Sequence, residues 1–351
     1  MKDIRILIVG TGGMAKAHAE AFAAIKGVKL VAGVDNNPAR LAAFIATHNI
    51  PNGFGSVADA ITWGEFDAVS NVTPDPVHYP TTMPLLAAGK HVLCEKPLAA
   101  NYPHAAEMAE AAARAGVINM VNLTYRNGPA LIEAARLVAD GAIGEVRHFE
   151  AAYLQSWLTQ SSWGKWDVEP QWLWRLSTAH GSLGVLGDIG VHILDFATLV
   201  AGSPATNVSC RLTTFDKAPG GKIGEYTLDA NDSFAMHLKL ANGATGVVHA
   251  SRMASGHLND LYLRIHGTKG GLDVRYEGNV SKLSASIGDD MEKAVWRKLK
   301  TPAVKTNYQR FIAAIRAGRQ VLPDFARGAA LQKVLDQAIQ SDKQASVDLA
   351  V

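Results

Sequence analysis

Apolar residues follow two rhythms along this chain, and the rhythm changes once. Up to about residue 123, short unbroken apolar runs alternate with stretches of helical spacing. The runs Ile4–Val9, Lys29–Val34 and Phe66–Val72, the short apolar stretch after Gly89 that leads into Lys96, and Val117–Leu123 read as strands. Helices are predicted from Ala15 to about Lys26, from Pro38 to about His48, over Val77–Ala88 and over Tyr102–Ala115. Pro38 suits a first helical position, and Gly116 suits the residue just past a helix end. Continuous apolar strands separated by helices mark a parallel sheet buried on both faces, so this region reads as a doubly wound α/β sheet.

After a further helix over Asn127–Asp140, ending in Gly141, alternation takes over. Strands are predicted over Val146–Gln155, Val208–Phe215, Ser233–Leu240, Gly246–Arg252, Tyr262–His266 and Leu272–Tyr276. Phe234, Met236, Leu238 and Leu240 alternate with other residues, so one face of this sheet is buried. Short turns between successive strands imply an antiparallel or mixed sheet. One helical insertion, about Leu183–Val200, interrupts it. Helices at about Thr306–Ala317 and Ala326–Gln340 and a short strand over Ser346–Val351 close the chain. The expected organisation is a Rossmann-type domain over 1–123 and an α+β domain with a large open sheet over 124–351. The final segment is a candidate to pack back on the first domain. An open sheet of that size needs its second face covered, and the chain has too few helices to do so, which predicts a homodimer or homotetramer through this sheet.

Composition narrows the class. The 351 residues are too many for one ordinary core and suit two domains. A net charge of +2 gives no reason to expect a nucleic-acid partner. Two cysteines, Cys94 and Cys210, argue against a disulfide framework and for a reducing compartment. No zinc-type spacing occurs, so no metal is expected. The first strand begins close to Met1, so no signal peptide is expected, and no apolar run reaches the length of a membrane span. The expected class is a cytoplasmic α/β protein with no membrane partner.

The first strand leads straight into Gly10-Thr11-Gly12-Gly13-Met14-Ala15 and then a helix. This is the G-x-G-x-x-A form of the dinucleotide fingerprint in its strand–turn–helix setting. Gly10 permits the tight turn, Gly12 lets the backbone approach a pyrophosphate, and Ala15 allows close helix–strand packing. Asp35 ends the second strand, where a carboxylate accepts hydrogen bonds from the adenosine ribose. It repels a 2′-phosphate and so favours NAD over NADP. Asn36, Asn37 and Arg40 soften that preference and leave NADP possible.

Two further constellations carry chemistry. In Gly89-Lys90-His91-Val92-Leu93-Cys94-Glu95-Lys96-Pro97 a short strand delivers a carboxylate and an ammonium to its carboxyl end, where open parallel sheets bind ligands. Glu95 is the adjacent candidate partner for Lys96. Alone, the segment reads as a surface ion pair on a loop; beside a dinucleotide turn it reads as functional. In the helical insertion, Asp188, His192 and Asp195 stand at i, i+4 and i+7, so they are expected on one helix face. Histidine titrates where proton transfer near neutrality needs it, and an aspartate one turn away orients the imidazole or binds a substrate hydroxyl.

With these residues in place the chain resembles the glucose–fructose oxidoreductase / inositol 2-dehydrogenase / rhizopine-catabolism (Gfo/Idh/MocA) family. Four segments carry the likeness in order and spacing: Gly10–Ala15, the run ending Glu95-Lys96-Pro97, Asp188-x-x-x-His192-x-x-Asp195, and Gly267-Thr268-Lys269-Gly270. The resemblance implies an NAD(P)-dependent dehydrogenase or reductase acting on a secondary alcohol or ketone of a sugar, sugar derivative or cyclitol. It implies Lys96 as the catalytic lysine, with Asp188 and His192 beside it, and leaves open which of Lys96 and His192 takes the proton. Thr73, Pro74 and His78 match a cofactor-lining loop, Glu95 the position before the lysine, and Arg126 an arginine near the nicotinamide and substrate. Trp174-Arg175 matches a pair at the nicotinamide end. Asn127 stands where many members carry an aromatic residue.

Five of the seven tryptophans fall between Trp157 and Trp174, among Gln, Ser, Asp and Glu side chains. Aromatic faces beside such hydrogen-bonding groups suit a sugar, and Trp163 is the candidate substrate contact; the competing reading is that they pack a long loop. Two rival functions remain: an NAD-dependent glycoside hydrolase that oxidises transiently, and a non-catalytic dinucleotide-binding regulator. Keeping Lys96, Asp188 and His192 together speaks against the regulator.

Overall fold

Strand β1 (Ile4–Val9) stands inside an all-parallel, six-stranded sheet of order β3-β2-β1-β4-β5-β6. The computed structural model describes residues 3–278 and 280–351. The chain falls into two units, 1–124 with 305–332, and 125–304 with 333–351. In the first unit β1 leads into α1 (Ala15–Ala23), β2 (Val28–Val34), α2 (Pro38–Thr47), β3 (Asn52–Phe54), α3 (Val57–Trp63) and β4 (Ala68–Asn71). Then follow α4 (His78–Ala87), β5 (His91–Cys94), α5 (Tyr102–Ala115) and β6 (Asn119–Val121). Ile6, Leu7 and Ile8 are fully buried in succession, as a strand covered on both faces requires. Helix α1 buries Ala15, His18, Ala19 and Phe22, one stripe at helical spacing.

The helix boundaries have local causes. Asn37 caps α2 through the Arg40 amide with Pro38 at the first position, and Asn101 caps α5 in the same way before Pro103. Gly116 closes α5 in the left-handed conformation. The sequence reading passed over β3 and α3. Strand β3 is three residues with Gly53 at its centre and no apolar run, so it carries no periodic signal.

The second unit contains α6 (Pro129–Ala139), β7 (Val146–Gln155), α7 (Pro170–Leu173), α8 (Val191–Val200), β8 (Ala205–Thr213), β9 (Lys222–Ile223), β10 (Tyr226–Thr227), β11 (Ser233–Leu240) and β12 (Thr245–Ser251). It continues with β13 (Asn259–Gly267), β14 (Gly270–Glu277), β15 (Val280–Ile287), α9 (Asp289–Glu292) and β16 (Arg297–Leu299). Helix α10 (Asn307–Ala317) belongs to the first unit. Helix α11 (Phe325–Lys343) starts in the first unit and ends in the second, which β17 (Leu349–Ala350) completes.

Nine of these strands form a mixed sheet of order β16-β15-β14-β13-β7-β12-β11-β8-β17. Only β7 and β12 pair in parallel. Phe234, Met236, Leu238 and Leu240 are buried and their neighbours Ala235, His237 and Lys239 exposed. The sequence reading omitted β15 and β16. Strand β15 carries a short alternation, Leu283, Ala285 and Ile287 between serines, weakened by the small Ala285, and β16 is three exposed residues with no rhythm at all.

The outer face of this sheet is polar. Arg264 pairs with Glu150 at 2.8 Å and with Asp273 at 3.2 Å, Arg275 with Asp273 at 2.8 Å, and Lys282 with Glu277 at 2.8 Å. These groups satisfy one another across strands, so the face does not need a cover on hydrophobic grounds. Among the described residues no helix is long and apolar enough to cross a membrane, and no cluster of three or more His, Cys, Asp or Glu is arranged to hold a metal.

Candidate active site

In the first unit the site is built on the carboxyl ends of β1, β2, β4 and β5. Gly10 has φ +87°, and a Cβ there would stand 2.8 Å from the Val72 carbonyl oxygen. Only glycine lets the turn after β1 press so closely on the end of β4. Gly12 and Gly13 meet nothing within 4 Å of where a Cβ would be, and α1 begins without a side-chain cap. Met14 is exposed and Ala15 fully buried. The helix start is therefore open to an anion.

Asp35 at the end of β2 is buried and collects five hydrogen bonds. The Thr11 amide and hydroxyl donate to it at 2.9 and 2.8 Å, and the Asn37 amide at 2.9 Å. Arg40 adds a bidentate pair at 3.0 and 2.9 Å. Burial alone would raise the carboxyl pKa, but these donors outweigh it and hold Asp35 well below the usual carboxylate range. Arg40 is half exposed, and Asn36 is exposed. An open helix start, two bare glycines and an ionised carboxylate one strand away fit a dinucleotide.

Lys96 is held by what surrounds its backbone. The Glu95 carboxylate is buried among fixed partners: one oxygen accepts from His18 Nε2 at 2.8 Å and Asn122 Nδ2 at 2.6 Å. The other accepts from the Lys96 backbone N–H at 3.2 Å. Burial would raise the Glu95 pKa, yet the His18 hydrogen bond and the other partners lower it to about 2. Asn122 also donates to Tyr308 and accepts from Asn307, both on α10, so this helix locks the network from behind. Glu95 thus anchors the turn that carries Lys96.

The loop after β4 is similarly pinned. Asn71 accepts from the Thr73 amide and hydroxyl at 3.2 and 2.8 Å and donates to Thr81 and Thr82, both at 2.8 Å. Thr73 and Pro74 lie on this loop. His78, at the end of the same loop, is fully buried, with its two ring nitrogens 2.8 Å from the carbonyl oxygens of Pro97 and Thr73. It joins the loop after β4 to the turn after β5.

The second unit holds the other constellation. Asp188 lies in a π-helical turn, Leu186–Gly190, that precedes α8, so the regular helix expected over Leu183–Val200 is broken there. The Asp188 carboxylate accepts from Arg252 at 3.0 Å and Arg175 at 3.4 Å. Asp195 instead meets Arg126 in a bidentate pair at 2.7 and 2.6 Å, with both side chains about 5 % exposed or less. The two aspartates do not form one acidic row. His192 is buried, its ring edge-on to Tyr125 at 5.0 Å. Tyr125 also feels the Asp188 charge, and burial first and that charge among others raise its pKa to about 12. Asp188 and His192 are thus brought together around Tyr125.

Three of these residues escaped the sequence reading. Arg252 is fully buried, donates to Asp188 and to the Arg175 carbonyl, and lies over the Trp157 ring. A signal was present: Val248, Ala250 and Arg252 continue the buried phase of one alternating strand, and a charge in that phase needs a partner. Tyr153 and Asn259 form a ring of hydrogen bonds with the Tyr125 hydroxyl beside His192. The tryptophan stretch is a series of short helical turns. Trp157, Trp163, Trp166 and Trp172 pack with Leu158, Leu173, Leu176 and Leu228, which favours packing for these rings, Trp163 included. Trp174 carries the Arg175 guanidinium 4.7 Å above its ring.

Comparison with known proteins agrees with this layout. Residues 4–123 match a family model described as an oxidoreductase family with an NAD-binding Rossmann fold, and residues 131–273 match the GFO/IDH/MocA C-terminal domain. Levoglucosan dehydrogenase of Pseudarthrobacter phenanthrenivorans is 27% identical over 99% of both chains. The scyllo-inositol 2-dehydrogenase (NADP(+)) of Bacillus subtilis is 31% identical over 68% of this chain and 70% of its own. A structure of levoglucosan dehydrogenase with NADH and L-sorbose superposes with a TM-score of 0.88 at 27% identity, covering 100% of this chain and 99% of that one.

Proposed function

We propose that this chain, which belongs to the Gfo/Idh/MocA family, oxidises a secondary alcohol of a sugar, sugar derivative or cyclitol, or reduces the matching ketone. Membership makes it an NAD-binding oxidoreductase of sugar-dehydrogenase type. The observation that carries the finer reading is the anchoring of the Lys96 turn by buried Glu95, in the same sheet that bears the open glycine turn and ionised Asp35. The nicotinamide, when bound, accepts a hydride at C4. In the oxidation direction the substrate carbon gives up that hydride while its hydroxyl loses a proton. Lys96 donates a hydrogen bond to the reacting oxygen and stabilises its developing charge, and His192 takes the proton. Asp188, paired with Arg252 and Arg175, accepts from a substrate hydroxyl or from the imidazole. Arg126, held by Asp195, keeps its place near the nicotinamide and substrate in this reading. A panel of sugars and cyclitols, levoglucosan and inositols included, with NAD and NADP and reduced-cofactor absorbance as readout, tests the reading. Turnover of none of them overturns it.

The cofactor preference follows from Asp35. NADH is expected to bind more tightly than NADPH, since a 2′-phosphate meets the Asp35 carboxylate. Asp35→Ser frees Arg40 to face that phosphate and narrows the gap by about tenfold, or about 1.4 kcal/mol. Titrating both reduced cofactors into wild type and variant checks it, and a wild type preferring NADPH contradicts it.

We also infer that a second copy covers the charged outer face of the nine-stranded sheet. Light scattering at micromolar concentration should give a mass well above 37.4 kDa. A monomer rules this out. Both cysteines are free and buried, which supports a reducing, cytoplasmic setting.

A further inference from the structure

His78 opens α4 and is fully buried. Its Nδ1 lies 2.8 Å from the Pro97 carbonyl oxygen and its Nε2 2.8 Å from the Thr73 carbonyl oxygen. Carbonyl oxygens only accept hydrogen bonds. A neutral imidazole has one N–H and one lone pair, so it would satisfy one carbonyl and set its lone pair against the other. Only the doubly protonated ring satisfies both. We propose that His78 is a buried imidazolium that ties the turn bearing Lys96 to the loop after β4, and that it is a positioning residue for Lys96.

The connection is direct. Pro97 follows Lys96 immediately, and Thr73 hangs from Asn71 at the end of β4. The ring is thus a two-ended clasp between loops that different strands deliver. The charged or titratable groups acting on it are Cys94 of β5 and Asp75 in the turn before α4. Burial disfavours the charged ring, but Cys94, Asp75 and the Pro97 carbonyl outweigh it and raise the pKa to about 9. The charge state stands on the two contacts alone. The effect on turnover rests on the reading of Lys96 given above.

Long-range proton–nitrogen NMR of the full-length protein with labelled histidine tests the charge state, with His78 assigned through its backbone. Both ring nitrogens should carry protons at pH 8, where an ordinary histidine is neutral. One bare nitrogen at that pH overturns the proposal. Stability gives a second reading. A folded pKa raised above the unfolded value of about 6.5 contributes stability that is full below pH 6.5 and lost as pH rises through about 9. The Tm gap between wild type and His78→Gln should therefore narrow across that window, and a constant or widening gap contradicts the claim. For positioning, His78→Gln should lower kcat by about tenfold and leave the KM for cofactor within about twofold, as expected when a group acts only through the reacting turn. Unchanged kcat refutes the positioning role. If Lys96→Ala keeps full turnover, the reading of Lys96 fails instead, and the NMR result stands apart from it.

Discussion

Lys96→Ala should lower turnover by about 10²–10⁴-fold, the range for a lost acid–base or oxyanion partner, while NADH still binds within a few-fold of wild type. The separation of the two effects is the informative part. Gly10, Gly12 and Asp35 lie on the turns after β1 and β2, and none of their contacts involves the Lys96 side chain. The Lys96 turn is held by its backbone N–H on Glu95 and by the Pro97 carbonyl on His78, and both contacts survive the substitution. The fold and the adenosine end should therefore be intact in the variant. Fluorescence titration of NADH with steady-state rates on a substrate found in the panel reads both quantities. Retained turnover sinks the role given to Lys96; lost NADH binding with lost turnover shows that the site was misread as local.

What could be read in the sequence was whatever is local. The glycine turn, the proline and asparagine at helix starts and the glycine at the end of α5 act within a few residues, and each stands in the structure where its spacing put it. Strands β7 and β11 matched residue for residue because each carries a full alternation or a long apolar run. The failures share a cause too. Strands β3 and β16 are too short to show a period. The π-turn at Asp188 leaves an apolar pattern that looks like ordinary helix. Pairings across long stretches of sequence left no trace: Glu95 with His18 and Asn122, Arg252 with Asp188, His78 with the Pro97 carbonyl. Glu95 and Lys96 are neighbours in the chain, yet the Glu95 carboxylate is held by His18 and Asn122, far away in sequence, which no adjacent-pair reading could show.

The largest expected loss of stability lies at Arg126 and Asp195, 69 positions apart. Both side chains are almost wholly buried, and the guanidinium meets the carboxylate through two short hydrogen bonds. Taking one partner away leaves the other charge in a low-dielectric interior without its fork, at a cost of about 3–5 kcal/mol. Arg126→Met and Asp195→Leu should each lower the unfolding free energy by about that much. The double variant should recover most of the loss, since replacing a buried pair by apolar groups of similar volume is often close to neutral. The expectation bears on function through α8. Asp195 lies three residues after His192 on this helix, so the pair fixes the segment that presents His192. The double variant should thus regain stability without regaining full turnover, because apolar packing does not restore a two-point lock. Denaturant melts of the four proteins, with rates for the folded ones, decide it. Additive losses in the double variant would show that neither charge depends on the other for its stability in the interior.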